Sequence, residues 1–307
     1  MESNSNRGCL GYITDIQKFS THNGPGIRTT IFLKGCPLSC DWCANPETIS
    51  LKEELYFIKS RCKECLNCIS ECDVNAIEYN NGIAINRLKC KKCFKCTRAC
   101  PNNALTIVGK KTSVEELMRA VLKDKPFYGE NGGVTFSGGE PMLQTDFLLE
   151  ALKSSKQNGL HVVLDTCGYA QKKYVESIVE YIDMTLLDIK HMDDEKHKDA
   201  TGVSNKIILN NAKIFSSNTS TRISLVLIPG FNDDEENLKK TADFANRLNI
   251  KYVDINLLHK YGEQKYKYLD RDSPYSKYCD EFSNESISKI VSIFNEASIK
   301  TTLGRNF

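Results

Sequence analysis

Past residue 109 the chain alternates short apolar runs with longer amphipathic ones. "GVTFSGGEP" leads into a 3.6-period pattern over about 145–158, and "LHVVLDTCG" into another over about 171–181. "MTLLDIK" follows, then "TRISLVLIPG" with a helical stretch at 233–248, then "KYVDINLLH". Upstream, "RTTIFLKG" reads as the first strand of the series. Strands rich in Val, Ile, Leu and Thr, separated by amphipathic helices, predict parallel βα units with right-handed crossovers. Six such strands suit an α/β fold, a partial (β/α)6 TIM-like barrel. The polar segments all fall at the C-terminal ends of the strands, where such barrels gather their active sites.

Between 52 and 108 that alternation stops and a repeat takes over. "CKECLNCISEC" (Cys62, Cys65, Cys68, Cys72) and "CKKCFKCTRACP" (Cys90, Cys93, Cys96, Cys100) both read C-x2-C-x2-C-x3-C, offset by 28 residues. Asn75 and Ala76 match Asn103 and Ala104 at the same offset. The pattern resembles the bacterial two-cluster ferredoxins, in which the fourth cysteine of each run ligates the other cluster. That resemblance assigns Cys62, Cys65, Cys68 and Cys100 to one 4Fe–4S cluster, and Cys90, Cys93, Cys96 and Cys72 to a second. A pair of zinc knuckles is the alternative, but four-ligand zinc has no use for a crossed cysteine or for the duplication. The expected division is a ferredoxin-like α+β module at 52–108 inserted into a barrel made of 1–51 and 109–307.

Composition narrows the function. Of 307 residues, 40% are hydrophobic and 26% charged, as in ordinary globular chains. The formal charge is +2 and the basic residues read as scattered, which argues against nucleic acid as a partner. No run approaches the roughly 18 apolar residues of a membrane helix, and "MESNSNRGCL" carries no signal-peptide core. The expectation is a cytoplasmic monomer with no membrane contact. Fourteen cysteines in a reducing compartment point to metal ligation rather than disulfides.

A third cysteine group, Cys36, Cys40 and Cys43 in "KGCPLSCDWCANPE", supplies three thiolates only. On a four-iron cube that leaves one iron without a protein ligand, and an open coordination position is where chemistry occurs. In "SGGEP", Gly138 and Gly139 allow close backbone approach, and Glu140 offers an acceptor for an ammonium. Asp165, Thr166 and Asp188 could assemble an oxygen site for a hard cation, with Lys190 pairing a ligand carboxylate. Cys9, Cys167 and Cys279 read as ordinary thiols. The mixed run "KYGEQKYKYLDRDSPY" reads as a surface loop.

The C-x3-C-x2-C motif resembles that of the radical S-adenosylmethionine (SAM) superfamily. "STHNGPGIRTTIFLKGCPLSCDWCANPE", "GGVTFSGGEPMLQ", "LLDIKHMDDEKHKDATGVSN" and "INLLHKYGEQKY" together resemble the glycyl-radical-enzyme activating enzymes over nearly the whole chain. The double-cluster insertion is similar to the subgroup that serves dehydratases, decarboxylases and lyases. The resemblance implies SAM chelated to the open iron and reductive formation of a 5′-deoxyadenosyl radical. That radical would take a glycine Cα hydrogen from a partner glycyl radical enzyme, with no protein acid or base and with Lys190 in support. It implies SAM contacts at Trp42, Cys43, Ala44, Gly138, Gly139, Glu140, Asp188, Ile189, Lys190 and His259. It also implies a monovalent cation at Asp165, Thr166 and Asp188, and ferredoxin or flavodoxin as electron donor. Asn23 stands where the family usually has aspartate, and Ala44 where it often has histidine. The alternative is a radical SAM enzyme acting on a small molecule or peptide.

Overall fold

In the computed structural model, which describes residues 9–278 and 281–304, the chain begins with β1 (Leu10–Ser20), turning through "THNGPGI" into β2 (Arg28–Leu33). From there it leaves for the inserted segment. β3 (Glu54–Phe57), α1 (Asn67–Ser70), β4 (Ile77–Tyr79), β5 (Ile83–Ile85), α2 (Lys95–Arg98) and β6 (Leu105–Val108) follow in order. β3 pairs antiparallel with β6, and β4 with β5, as two small sheets over a core of their own around Leu55, Cys68, Ile77, Cys96 and Leu105.

The chain returns through β7 (Lys110–Ser113), α3 (Val114–Lys123) and β8 (Gly133–Gly138). It then runs α4 (Thr145–Gln157), β9 (His161–Thr166), α5 (Lys172–Ile178), β10 (Met184–Asp188), α6 (Asp194–Thr201) and α7 (Lys206–Asn218). β11 (Ser220–Leu227), α8 (Glu235–Arg247), β12 (Tyr252–Leu257), α9 (Glu263–Leu269), α10 (Asn284–Glu296) and β13 (Lys300–Leu303) complete it. Capping residues mark several starts. Ser113 and Glu116 form a reciprocal capping box on α3, and Asp193, Asp234 and Ser283 each accept from the third-residue N–H of their helices.

All the large strands join one sheet in the order β13-β12-β11-β10-β9-β8-β2-β1-β7. From β2 to β13 every pairing is parallel, while β1 runs antiparallel to both β2 and β7. The sheet ends at two edges and does not close, giving the partial barrel expected from the pattern. The six anticipated strands are β2, β8, β9, β10, β11 and β12. Three more escaped that reading: β1, β7 and a seventh parallel strand, β13. β1 reads "LGYITDIQKFS", half exposed, and β7 and β13 are short and polar, so neither apolar runs nor clean alternation marked them. The helices cover the sheet with Leu117, Leu148, Leu152, Phe215, Leu238 and Phe294, all essentially buried, the burial that drives such layers together.

Candidate active site

The three-cysteine loop leaves β2 and is held from several sides. Gly35 and Cys36 donate their N–H groups to Thr48 and Ile49 carbonyls at 2.6 and 2.9 Å, and Ser39 and Asp41 donate to Thr201 and Ala200, the last two residues of α6. From β8, Gly139 and Glu140 donate to the Leu33 and Gly35 carbonyls at 2.9 and 2.8 Å. This close approach explains the glycine pair. A Cβ on Gly138 would sit 2.2 Å from Leu33 O, and one on Gly139 2.2 Å from Gly35 O.

Trp42 is 4% exposed and packs against Phe231, with ring centres 4.9 Å apart, and against Tyr278. Its ring serves packing, so a contribution from Trp42 to a ligand falls to its backbone. Two tyrosines fix the backbone beside it: Tyr266 and Tyr275 each donate a hydroxyl to Cys43 O at 3.1 Å. Both come from the run read above as a surface loop. That reading is corrected here: α9 and the turn at Pro274–Lys277 bury Tyr266, Leu269 and Tyr275 against the cysteine loop. A Cβ at Gly262 would press within 2.8 Å of Ala44 O. Interleaved charges hid tyrosines whose rings are apolar and whose hydroxyls seek carbonyls.

The carboxylate of Glu140 is wholly buried. Oε1 accepts from Met142 N–H at 3.0 Å, and Oε2 from the Thr166 hydroxyl at 2.6 Å and from the Cys167 N–H and thiol, both at 2.9 Å. Glu140 thus ties the end of β8 to the end of β9. Cys167, expected to be an ordinary thiol, lies inside the site, and no residue-type signal set it apart from Cys9. Cys279 lies outside the described residues.

Asp165 accepts from Ser137 Oγ at 2.9 Å, and Asp188 Oδ2 from Lys190 Nζ at 2.8 Å. Asp165 is the register partner of Leu186, so strand alternation puts Asp165 and Asp188 on one face of the sheet. Thr166, one residue on, turns its hydroxyl to Glu140 on the other. A cation between the two aspartates would therefore meet Thr166 only through its backbone. Ile189 donates its N–H to Ser224 O at 3.2 Å. His259 lies exposed two residues beyond β12 and stacks on Tyr261 at 4.6 Å. In the loop before β2, Asn23 donates to Ser20 Oγ at 2.9 Å and Thr30 Oγ1 at 3.2 Å. Arg222 and Asp254 form a buried pair with Thr302 beside them. Both are charges inside apolar strands, a signal the sequence did contain.

The electrostatics test whether the three-cysteine loop fits a metal cluster. Burial pushes Cys40 up to about 12 and Cys43 up to about 11, so bare thiolates are disfavoured there. Interaction with the neighbouring Cys167 holds Cys36 below its ordinary value despite burial. Burial would lower Lys190, yet Asp188 and the neighbouring Cys40 hold it above its usual range, so a cation faces the thiols. A coordinated metal deprotonates thiols that burial alone would keep neutral, and this donor set suits it.

The inserted segment repeats its geometry as well as its sequence. Leu66 and Phe94 precede α1 and α2 in the left-handed conformation, at φ 66° and 58°, and Asn75 and Asn103 match at 47° and 49°. Ala76 N–H donates to Cys72 Sγ, and Ala104 N–H to Cys100 Sγ, both at 3.2 Å. One cavity is lined by Cys62, Cys65, Cys68 and Cys100, the crossed set, together with Phe57 and Leu105. Burial pushes Cys96 up to about 11, and the thiols crowding it are Cys90, Cys68, Cys93 and Cys72. Among the described residues no group of three His, Cys, Asp or Glu converges on a point where a single metal ion would sit.

Residues 30–245 match the Radical SAM superfamily. The chain is 38% identical over 306 residues to the 4-hydroxyphenylacetate decarboxylase activating enzyme of Clostridium scatologenes, covering 96% of this chain and 98% of that one. It belongs to the radical SAM family of glycyl-radical-enzyme activating enzymes. It is 42% identical over 302 residues to the trans-4-hydroxy-L-proline dehydratase activating enzyme of Clostridioides difficile, covering 95% and 98% of the two chains. With the benzylsuccinate synthase activating enzyme of Thauera aromatica it shares 40% over 304 residues, covering 95% and 92%. Streptococcus suis SuiB bound to precursor peptide SuiA matches at a TM-score of 0.54, over 92% of this chain and 50% of that one. At 14% identity that likeness speaks for the fold alone.

Proposed function

We infer that this activating enzyme converts a glycine of a partner dehydratase, decarboxylase or lyase into a glycyl radical. Full-length similarity to activators of a decarboxylase, a dehydratase and benzylsuccinate synthase carries the reading. A 4Fe–4S cluster on Cys36, Cys40 and Cys43, with SAM at its fourth iron, would supply a one-electron cleavage whose 5′-deoxyadenosyl radical takes the glycine Cα hydrogen.

The chain's own residues would bind, orient and exclude water. Lys190, held cationic by Asp188, is placed to meet a carboxylate. The backbone of Gly138 and Gly139 and of residues 42–44, with Ile189 and His259, would complete the SAM pocket. Tyr266 and Tyr275 would keep the 42–44 backbone in place. Glu140 would position the ends of β8 and β9 through its donors from Thr166 and Cys167. Asp165 and Asp188 would hold a monovalent cation, with Thr166 adding its carbonyl.

Residues 52–108 would form a ferredoxin-like module with two clusters, ligated by Cys62, Cys65, Cys68 and Cys100 and by Cys72, Cys90, Cys93 and Cys96. The cavity lined by the first set supports the crossed assignment. A ferredoxin or flavodoxin would donate the electron to a monomeric, cytoplasmic enzyme. No described helix is long and apolar enough to cross a membrane.

The test is anaerobic mixing of the reduced, iron-loaded protein with SAM and a candidate glycyl radical enzyme, followed by electron paramagnetic resonance. A glycyl doublet is expected. Cleavage of SAM with no doublet from any partner would favour a small-molecule or peptide substrate instead.

A further inference from the structure

The two halves of the inserted segment share a backbone but not a charge. Residues 28 apart occupy equivalent positions: Lys63 and Lys91, Glu64 and Lys92, Asn67 and Lys95, Ser70 and Arg98. Their conformations agree, with Glu64 and Lys92 at φ 52° and 54°. Yet 62–72 carries one lysine against two glutamates, while 90–100 carries three lysines and an arginine with no acid. Each half brings four thiolates to its clusters. Cations needed only to offset cluster charge would be required equally in both, so the asymmetry has another origin.

The basic half faces solvent. Lys89, Lys91, Lys92, Cys93 and Arg98 are exposed, and Leu88, between Arg87 and Lys89, is 99% exposed. Asp73 takes Lys95 at 2.6 Å and Glu78 lies 3.8 Å from Lys89, which leaves Lys91, Lys92 and Arg98 as the face's open charge among the described residues. An apolar side chain standing in water on a segment rich in exposed cations has the make-up of a docking surface. The apolar tip gives contact, and the surrounding charge gives steering and orientation. The complementary partner is a protein with an acidic face, and the redox ligands beneath this one call for an electron carrier.

We propose that the exposed basic face of residues 88–98, carrying Leu88, Lys91, Lys92 and Arg98, docks an acidic one-electron carrier protein. The carrier is oxidised by one electron, and the cluster of Cys72, Cys90, Cys93 and Cys96 is reduced by one. This rests on the reading above that the module holds clusters.

The test uses the full, anaerobically iron-loaded chain and a purified acidic two-cluster ferredoxin as probe, with Kd measured by calorimetry across ionic strengths. Lys91→Glu combined with Arg98→Glu is expected to raise Kd about tenfold or more at low salt, the gap closing as salt screens the charges. Leu88→Ser should weaken binding at all salt concentrations, and Lys213→Glu on α7, away from this face, should not. Iron content and dithionite-driven SAM cleavage should stay as in the parent. An unchanged Kd in the double variant, equal weakening by Lys213→Glu, or no binding at low salt would each overturn the proposal. Iron content reports separately on the cluster reading. A chain that loads only the three-cysteine site defeats that reading whatever the Kd.

Discussion

Glu140 and Cys167 are joined twice, the Cys167 backbone N–H and its thiol each reaching Glu140 Oε2 at 2.9 Å. Burial pushes the Glu140 carboxyl up, while these donors and those of Thr166 and Met142 favour its charged form. Glu140→Gln turns an NH2 donor into a group of donors and strands at least one buried hydrogen bond. A loss of about 1–3 kcal/mol is expected, read as lowered thermal unfolding of the loaded protein. Cys167→Ala removes one weak donor and should cost less than about 1 kcal/mol. The reverse ranking would mean that the thiol, not the carboxylate, organises these strand ends.

Crossed ligation makes iron content non-additive. Cys62→Ala and Cys100→Ala would strike one cluster, so the double variant should lose no more iron than the worse single one. Cys62→Ala with Cys72→Ala would strike both, and its losses should add. Equal behaviour of the two doubles would refute the crossed arrangement.

Tyr266 and Tyr275 hold Cys43 O from the segment after β12. Phenylalanine at both positions removes two neutral hydrogen bonds, each worth about 1 kcal/mol. SAM should bind several-fold more weakly to the double variant in equilibrium dialysis, with iron content retained. Unchanged affinity would make the clamp a matter of stability alone.

Gly139→Ala would put a methyl 2.2 Å from Gly35 O, where backbone rather than a flexible side chain must yield. The cysteine loop would shift with it. We expect a large drop in iron at the three-cysteine site, seen in the absorbance of the reconstituted protein, with the iron of the inserted segment intact.

His191 and His197 are 3% and 1% exposed, and burial lowers both from 6.5. The unfolded chain takes up these protons near pH 6.5 while the folded one resists them. Their contribution is therefore full above 6.5 and is lost as pH falls below it, by at most about 1.4 kcal/mol per pH unit for each. The thermal unfolding midpoint should fall as pH drops below about 6.5. His197→Gln should flatten that slope, and an unaltered slope would show that His197 does not carry it.

Period and punctuation made much of this legible. Six βα units followed from apolar runs, and the duplicated cysteines followed from spacing alone. The seventh parallel strand did not, because "KTTL" at a sheet edge buries too little to need apolar residues. The role of 262–278 was invisible for a different reason: tyrosine hydroxyls bond a carbonyl across more than 200 residues of chain, which no local pattern encodes. Net charge misled in its own way. A total of +2 conceals the basic face at 87–98, since acids elsewhere cancel it.

Glu54 and Val108 are register partners where the inserted segment leaves and rejoins the barrel. Geometrically, then, the whole cassette hangs from one doorway and could be snipped away and the ends rejoined by a short turn. Electrostatics forbids so clean a cut. Glu54 goes with the cassette, yet it accepts from the fully buried Lys34 at 3.0 Å and from Arg271 at 2.5 Å. A barrel shorn of its insert would take that carboxylate from Lys34, leaving the Glu47 carbonyl as its described acceptor, and would take it from Arg271 as well. A relative lacking the cassette is expected to carry another residue at 34, or another acid to meet it.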